Sequence, residues 1–377
     1  MYGRILIFCL ISLVGMYYRW RGIHVRTGDW TQSLSVWIAD LDKGGLKALA
    51  EYKGNYNMPY VTYLLLITYL PIDPLYSLKA LSILFDYICA FTGGILAVMC
   101  TVKKKEDFWP QWNFLLAYGL ILLSPVTIRN SVWWSQCDSI YVSFILLAIL
   151  CMLKEKYPIS MILWGFAIAF KLQAVFALPF LLIYYWKNKK FSALQFLLIP
   201  LTMEILCIPA IIGGCSPFIT LETYMGQTEL SGVMYNFYPN LWGLLPNVPY
   251  WVFSRAAIAG MVGLLGIIAV VITRKEKQLD QSNVLLLFAW VTMTVLFFLP
   301  SMHERYGYLL EMTAVCLFAA DKKKWYLPLV THSVVMPYYL GHFNVEARLL
   351  GLPYLAAYLL LSFSVIRRWR DKGENNA

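Results

Sequence analysis

Ionisable and amide side chains recur at five places in an otherwise apolar chain. The first place, from Arg19 to Asn57, carries Gly28-Asp29-Trp30, then Asp40, Asp42 and Glu51, and closes on Asn55-Tyr56-Asn57-Met58-Pro59-Tyr60. The second holds Arg129 with Trp133-Trp134-Ser135-Gln136-Cys137-Asp138, and the third Lys171-Leu172-Gln173. Glu222 and Glu229 form the fourth, and His303-Glu304-Arg305-Tyr306 the fifth. Carboxylates take protons from hydroxyls, and cationic side chains hold phosphates. Acids and bases converging from several turns describe a pocket for a charged ligand.

Each position also has a plainer reading. Asp29-Trp30-Thr31-Gln32 is a capping-box-like helix start, and a carboxylate engaged as a cap makes a poorer base. Asp40 and Asp42 suit a solvated helix face and are the next candidates for a base. Asp138 suits the N-cap of a descending helix. Lys171 has no acid near it in sequence, so it either snorkels to lipid headgroups or binds a phosphate. Arg129, His303 and Arg305 serve as interfacial anchors or as site residues. Trp133, Trp134, Tyr235, Tyr238 and Trp242 suit the aromatic belt of a membrane or stacking on a sugar ring. Asp86, ionisable within an apolar run, calls for a buried partner such as a tyrosine or Lys79.

Membrane helices must position these turns. Of 377 residues, 60% are hydrophobic and 14% charged, which excludes a soluble domain and a disordered chain. At about 20 apolar residues per span the chain holds about 12 transmembrane helices. The fold class is therefore all-α and polytopic, a single membrane-embedded domain over residues 1–377. The segment from Ile5 to Tyr18 lacks a small-x-small cleavage site and reads as an anchor. Basic clusters at Lys103-Lys104-Lys105, Lys154 and Lys156, Lys187 to Lys190, Arg274 to Lys277, Lys322-Lys323-Lys324 and Arg367 to Lys372 belong on the cytoplasmic side. Both termini of this multi-pass cell-membrane protein are then cytoplasmic, and the five polar places face outside.

Residues 19–77 form the first outer loop and residues 213–250 the second. Within the first, Trp30, Leu34, Trp37, Ile38 and Leu41 recur at helical spacing, as in an amphipathic helix lying on the membrane. Tyr60 to Leu70, bounded by Pro59 and Pro71, would reach only about 16 Å as a helix and so lies in the interface. Ile159 to Trp186 reads as two short arms turning at Lys171-Leu172-Gln173. The net charge of +10 is dispersed in short clusters, which argues against nucleic acid as a partner. The eight cysteines have no metal-type spacing, which argues against zinc and disulfides.

The ordered set Gly28-Asp29-Trp30, Asn55 to Tyr60, Trp133 to Asp138, Phe170-Lys171-Leu172-Gln173, Pro239-Asn240-Leu241-Trp242 and His303 to Tyr306 resembles the GT-C superfamily. More narrowly it resembles bacterial membrane proteins related to the GPI-anchor mannosyltransferases. The resemblance implies inverting transfer of a hexosyl unit from a polyprenyl-phosphate donor to a glycan, lipid or protein acceptor on the non-cytoplasmic face. It makes Asp29 the catalytic position. Lys171, Arg305, His303 and Arg129 would then hold the donor phosphate, whose charge grows in the transition state. Tyr56, Asn57, Trp134, Gln136, Asp138, Gln173, Glu304 and Tyr306 would line the substrate site. Mannose enters only through the resemblance. No cofactor is required by this chemistry, and a divalent metal on Asp29 and Asp138 stays open. Two departures stand out: no large C-terminal soluble domain follows, and Ser135 replaces the usual small residue of Trp-Gly-Gln.

Two rival classes differ in their signals. A transporter or flippase for a lipid-linked or anionic glycan would use paired charges near the bilayer midplane and internal repeats. An outer-face acyltransferase would be rich in histidine, and this chain has four.

Overall fold

The computed structural model describes residues 2–101, 109–229, 232–245, 247–274 and 279–370. Lys103, Lys104, Lys105, Lys275, Lys277 and Lys372 of the basic clusters lie outside the described residues. The described residues are helical, with an isolated bridge between Tyr235 and Met302. The chain falls into two compact units: Met1–Gly94, Phe108–Val175 and Ala193–Leu230 in the first, and Ile95–Asp107, Phe176–Ser192 and Ser231–Ala377 in the second.

Five helices are long and apolar enough to cross a membrane: Tyr2–Gly22, Pro74–Met99, Ala193–Ile212, Tyr250–Arg274 and Ala347–Trp369. Trp112–Leu122 and Pro125–Trp133, bent by 44°, supply a sixth if they form one span. This is the architecture of a polytopic membrane protein. The remaining apolar runs, read from sequence as further spans, fold into helices of 11 to 18 residues, from Leu178–Asn188 to Gln281–Phe298. Helices of that length reach about 16–27 Å, short of a hydrocarbon core of about 30 Å.

The first unit starts with α1 (Tyr2–Gly22), followed by a π-turn (Trp30–Leu34), α2 (Ser35–Gly44), α3 (Met58–Thr68) and α4 (Pro74–Met99). The bent pair is α5 (Trp112–Leu122) and α6 (Pro125–Ile128), which runs into a second π-turn, Arg129–Trp133. Helices α7 (Asp138–Leu153), α8 (Tyr157–Phe170), α9 (Leu178–Asn188, in the second unit), α10 (Leu198–Ile212) and α11 (Ile219–Glu229) follow.

The α2 stripe falls as its spacing demands, with Leu34, Ile38 and Leu41 buried while Asp40 and Asp42 stay exposed. Helix α3, read as lying in or dipping into the interface, packs on the protein along most of its length while Leu66 stays exposed. Tyr60, Val61, Leu64, Leu65 and Ile67 are all buried in a core shared with α2 and the Gly45–Leu49 turn. Helices α8 and α10 approach closely at Gly165, where a Cβ would stand 2.6 Å from Thr202 Cβ and 2.8 Å from the Ile199 carbonyl. Small residues permit such contacts in membranes, where burial of apolar surface drives little association. Outward, α10 exposes Leu201, Ile205, Ile208 and Ile212, the inside-out pattern of a lipid-facing helix.

The stretch opening at Arg19 is shorter than its composition suggests. α1 continues to Gly22 and Arg19 is fully buried within it, so the first non-helical segment begins beyond Gly22.

In the second unit lie α12 (Leu241–Leu244), α13 (Tyr250–Arg274), α14 (Gln281–Phe298), α15 (Tyr308–Ala320), α16 (Tyr326–Tyr339) and α17 (Ala347–Arg370). Pro239-Asn240-Leu241-Trp242 fastens the end of α14. Asn240 caps α12 by accepting from the Trp242 amide at 3.1 Å, and the Trp242 indole donates to the Phe298 carbonyl at 2.8 Å. Asn240 Nδ2 donates to the Leu299 carbonyl at 3.0 Å, so carbonyls freed at a helix end are satisfied.

Candidate functional site

Asp29 is exposed, and its backbone is already helical, with no side-chain cap bond to the turn that follows. The capping geometry suggested by Asp29-Trp30-Thr31-Gln32 is therefore not adopted. The carboxylate instead turns to Gln136, whose Nε2 donates to Asp29 Oδ2 at 2.6 Å. The other end of the same amide, Oε1, accepts from the Tyr56 hydroxyl at 3.0 Å. Gln136 is thereby fixed in orientation between a phenol and a carboxylate, and the carboxylate keeps solvent access.

Local backbone explains how Gln136 arrives there. After the π-turn Arg129–Trp133, Ser135 adopts a φ of 56°, and the Gln136 amide bonds back to the Asn130 carbonyl at 2.9 Å. That left-handed position favours glycine, which accounts physically for a serine there being a departure. Ser135 Oγ is also buried with no hydrogen-bond partner among the described residues.

The reversal sets Asp138 at the start of α7 and Asn130 beside it. Asn130 Nδ2 donates to Asp138 Oδ2 at 2.8 Å, and Lys171 Nζ pairs with Asp138 Oδ1 at 2.6 Å. Asp138 is fully buried, and the Lys171 side chain is 13% exposed. Lys171 reaches it because α8 stops at Phe170 and Lys171 is extended, with φ −153° and ψ 132°. Its ammonium also lies 6.0 Å from the centre of the Tyr56 ring. The lysine that has no acid near it in sequence thus has one in space, 33 residues earlier. A metal shared by Asp29 and Asp138 meets an obstacle, since both Asp138 oxygens are engaged. Among the described residues no three His, Cys, Asp or Glu side chains gather.

Asn57 and Tyr56 part company. Asn57 is buried and faces α8 and α11, its Nδ2 donating to the Tyr224 hydroxyl at 2.7 Å, while Tyr224 in turn donates to the Ile168 carbonyl. Gln227 Nε2 donates to the Asn55 carbonyl at 2.6 Å. Burial pushes the Tyr224 phenol well above its ordinary value, so it stays a donor. Trp134 is half-buried, Arg129 lies 5.3 Å over the Trp133 ring, and Gln173 is buried with its Oε1 lacking a hydrogen-bond partner among the described residues.

The second unit carries the remaining candidates. Glu304 is buried in a short turn, Glu304–Gly307, with Arg305 Nε 3.3 Å from Oε1 and His303 Nδ1 3.7 Å from Oε2. His303 Nε2 lies 3.0 Å from Asn236 Nδ2, and its ring meets Tyr306 edge-on at 5.3 Å. Burial pulls the Glu304 carboxyl upward, but the bond to His303 and the charges of Arg305 and His303 outweigh it, leaving it below the usual carboxylate value.

Sequence reasoning missed Asn130, Tyr224, Gln227 and Asn236. Asn130 follows Arg129 directly and sits eight residues before Asp138, so an amide next to a noted cation was the available signal. The other three had none beyond membership of the second outer loop. No protein-family model matches this chain, and no curated protein matches it.

Proposed function

We propose that the chain is a membrane-embedded hexosyltransferase of GT-C type. It would take its sugar from a polyprenyl phosphate and deliver it to an acceptor hydroxyl on the non-cytoplasmic face. The carrying observation is the Asp29–Gln136–Tyr56 bridge, an exposed carboxylate aimed by a doubly anchored amide. In this reading Asp29 accepts the acceptor's proton as its oxygen attacks the anomeric carbon and polyprenyl phosphate leaves. Lys171 pairs with Asp138 and, with three N–H donors on its ammonium, has others for the phosphate. About 12 spans, cytoplasmic termini and outward-facing loops at 19–77 and 213–250 belong to the same proposal.

The test uses purified protein in nanodiscs with a radiolabelled polyprenyl-phosphate hexose and membrane extract as acceptor source. Release of polyprenyl phosphate with label moving to an acceptor is expected, and Asp29→Asn should cut it by about 100- to 10,000-fold. Full turnover in Asp29→Asn would remove Asp29 as the base. Absence of label transfer with every hexose tried would sink the transferase reading.

A further inference from the structure

Helix α4 is apolar, yet it carries a stripe of three fully buried polar residues, Lys79, Ser82 and Asp86. Their spacing of three and four puts them on one face. Each reaches a different segment of the first unit. Lys79 Nζ donates to the carbonyls of Gly22 at 3.2 Å, Ile23 at 3.1 Å and Val25 at 2.5 Å, at the end of α1 and the start of the segment leading to Asp29. Ser82 Oγ donates to the main-chain carbonyl of Gln136 at 2.8 Å. Asp86 Oδ2 accepts from Arg19 Nε at 2.9 Å and from Ser131 Oγ at 2.6 Å, and Ser131 belongs to the π-turn before Gln136.

Cohesion alone does not call for such groups. Buried polar and charged side chains are costly to desolvate, and a well-packed apolar stripe binds helices at least as well. What the polar stripe adds is direction, since hydrogen bonds fix where a backbone carbonyl stands. Two of its members hold the Ser131–Gln136 segment, and the third holds the backbone that runs to Asp29. Both partners of the Asp29–Gln136 hydrogen bond are thus referred to one rigid helix face.

We propose that Lys79, Ser82 and Asp86 are positioning residues that set the geometry of the Asp29–Gln136 pair. Catalytic importance of that pair rests on the reading given under Proposed function, whereas the geometric role does not. Ser82 is the member to test, because Ser82→Ala removes one hydrogen bond and leaves no buried charge unpaired.

The readouts are turnover, measured in the otherwise native chain, and, in a separate background without the eight native cysteines, the modification rate of a single thiol introduced by Trp134→Cys. In Ser82→Ala, kcat should fall about fivefold, the worth of one hydrogen bond, with KM for the donor unchanged. Modification of the introduced thiol by a water-soluble maleimide should accelerate by a similar factor. Ser82→Thr, which keeps the hydroxyl, should restore both, and Ser131→Ala should reproduce the labelling change from the other end of the stripe. An unchanged labelling rate in Ser82→Ala and Ser131→Ala overturns the proposal, whatever kcat does. Labelling needs no turnover, so it still decides the matter if Asp29→Asn proves active and the base assignment fails.

Discussion

Gln136 Nε2 stands 2.6 Å from Asp29 Oδ2, joining residues 107 positions apart, and the Tyr56 hydroxyl locks the amide the right way round. Gln136→Leu keeps the bulk and removes the bond. Because a hydrogen bond to a charged group contributes about 1.5–3 kcal/mol, turnover should fall about 10- to 100-fold with little loss of melting temperature. Gln136→Glu should be worse, since it sets a second carboxylate against the first. Wild-type rates in both variants would mean that Asp29 is not held for chemistry.

The Lys171–Asp138 pair predicts a stability effect of its own. Lys171→Met leaves a fully buried carboxylate with Asn130 as its remaining noted partner, a loss on the order of 3–5 kcal/mol. Combining it with Asp138→Leu should recover most of that, because no charge is then stranded. Thermal unfolding in detergent of the single and double variants measures the coupling. If Lys171→Met melts like the wild type, the pair contributes nothing. Binding of polyprenyl phosphate to Lys171→Arg then reports the phosphate role separately, since arginine keeps the charge in a different shape.

Ser135 at φ 56° should be improved by its own simplest replacement. Ser135→Gly relieves a left-handed serine, a penalty of about 1–2 kcal/mol, and removes a buried hydroxyl without a hydrogen bond among the described residues. The melting temperature should rise by a few degrees with turnover unchanged or higher. A lower melting temperature would show that Oγ makes a contact that the backbone gain does not match.

For Glu304 the pH dependence has a definite sign. Its folded carboxyl lies below the ordinary 4.5, so its ion pairs contribute fully above that pH and are lost as the pH falls through the folded value. Wild-type melting temperature should therefore decline on acidification below about pH 4.5. Glu304→Gln should melt lower at neutral pH and decline less on acidification. Parallel curves for the two proteins would show that Glu304 does not carry the acid sensitivity.

How much of this was legible in the sequence varies by residue. The polar turns at Asp29, Gln136 and Lys171 announced themselves because each interrupts an apolar run, and the α2 stripe obeyed its spacing. What composition could not supply was pairing. Asp86 called for a partner, but hydropathy treated Arg19 as the start of a loop, whereas α1 runs past it and buries it against Asp86. Lys79, offered as that partner, spends its donors on carbonyls at the end of α1. Hydropathy also reports how apolar a run is and not where its helix stops. The Ile159–Trp186 run does break at Lys171, where its polar residues place a turn, but the partner that the extended Lys171 reaches, Asp138, lies 33 residues earlier and is absent from local sequence.

The 44° bend between α5 and α6 and the arginine of α1 are one feature written in two places. Pro125 has no N–H, and the Val126 amide turns to Ser124 Oγ at 3.2 Å, so the Leu122 carbonyl loses its helical donor. Arg19 NH1 fills that vacancy at 3.1 Å while its Nε holds Asp86. The two serve each other: the bend bares a buried carbonyl, and the arginine supplies its donor. Descendants of this chain that lose Arg19 should therefore change Asp86 as well as position 125, since the one arginine serves both.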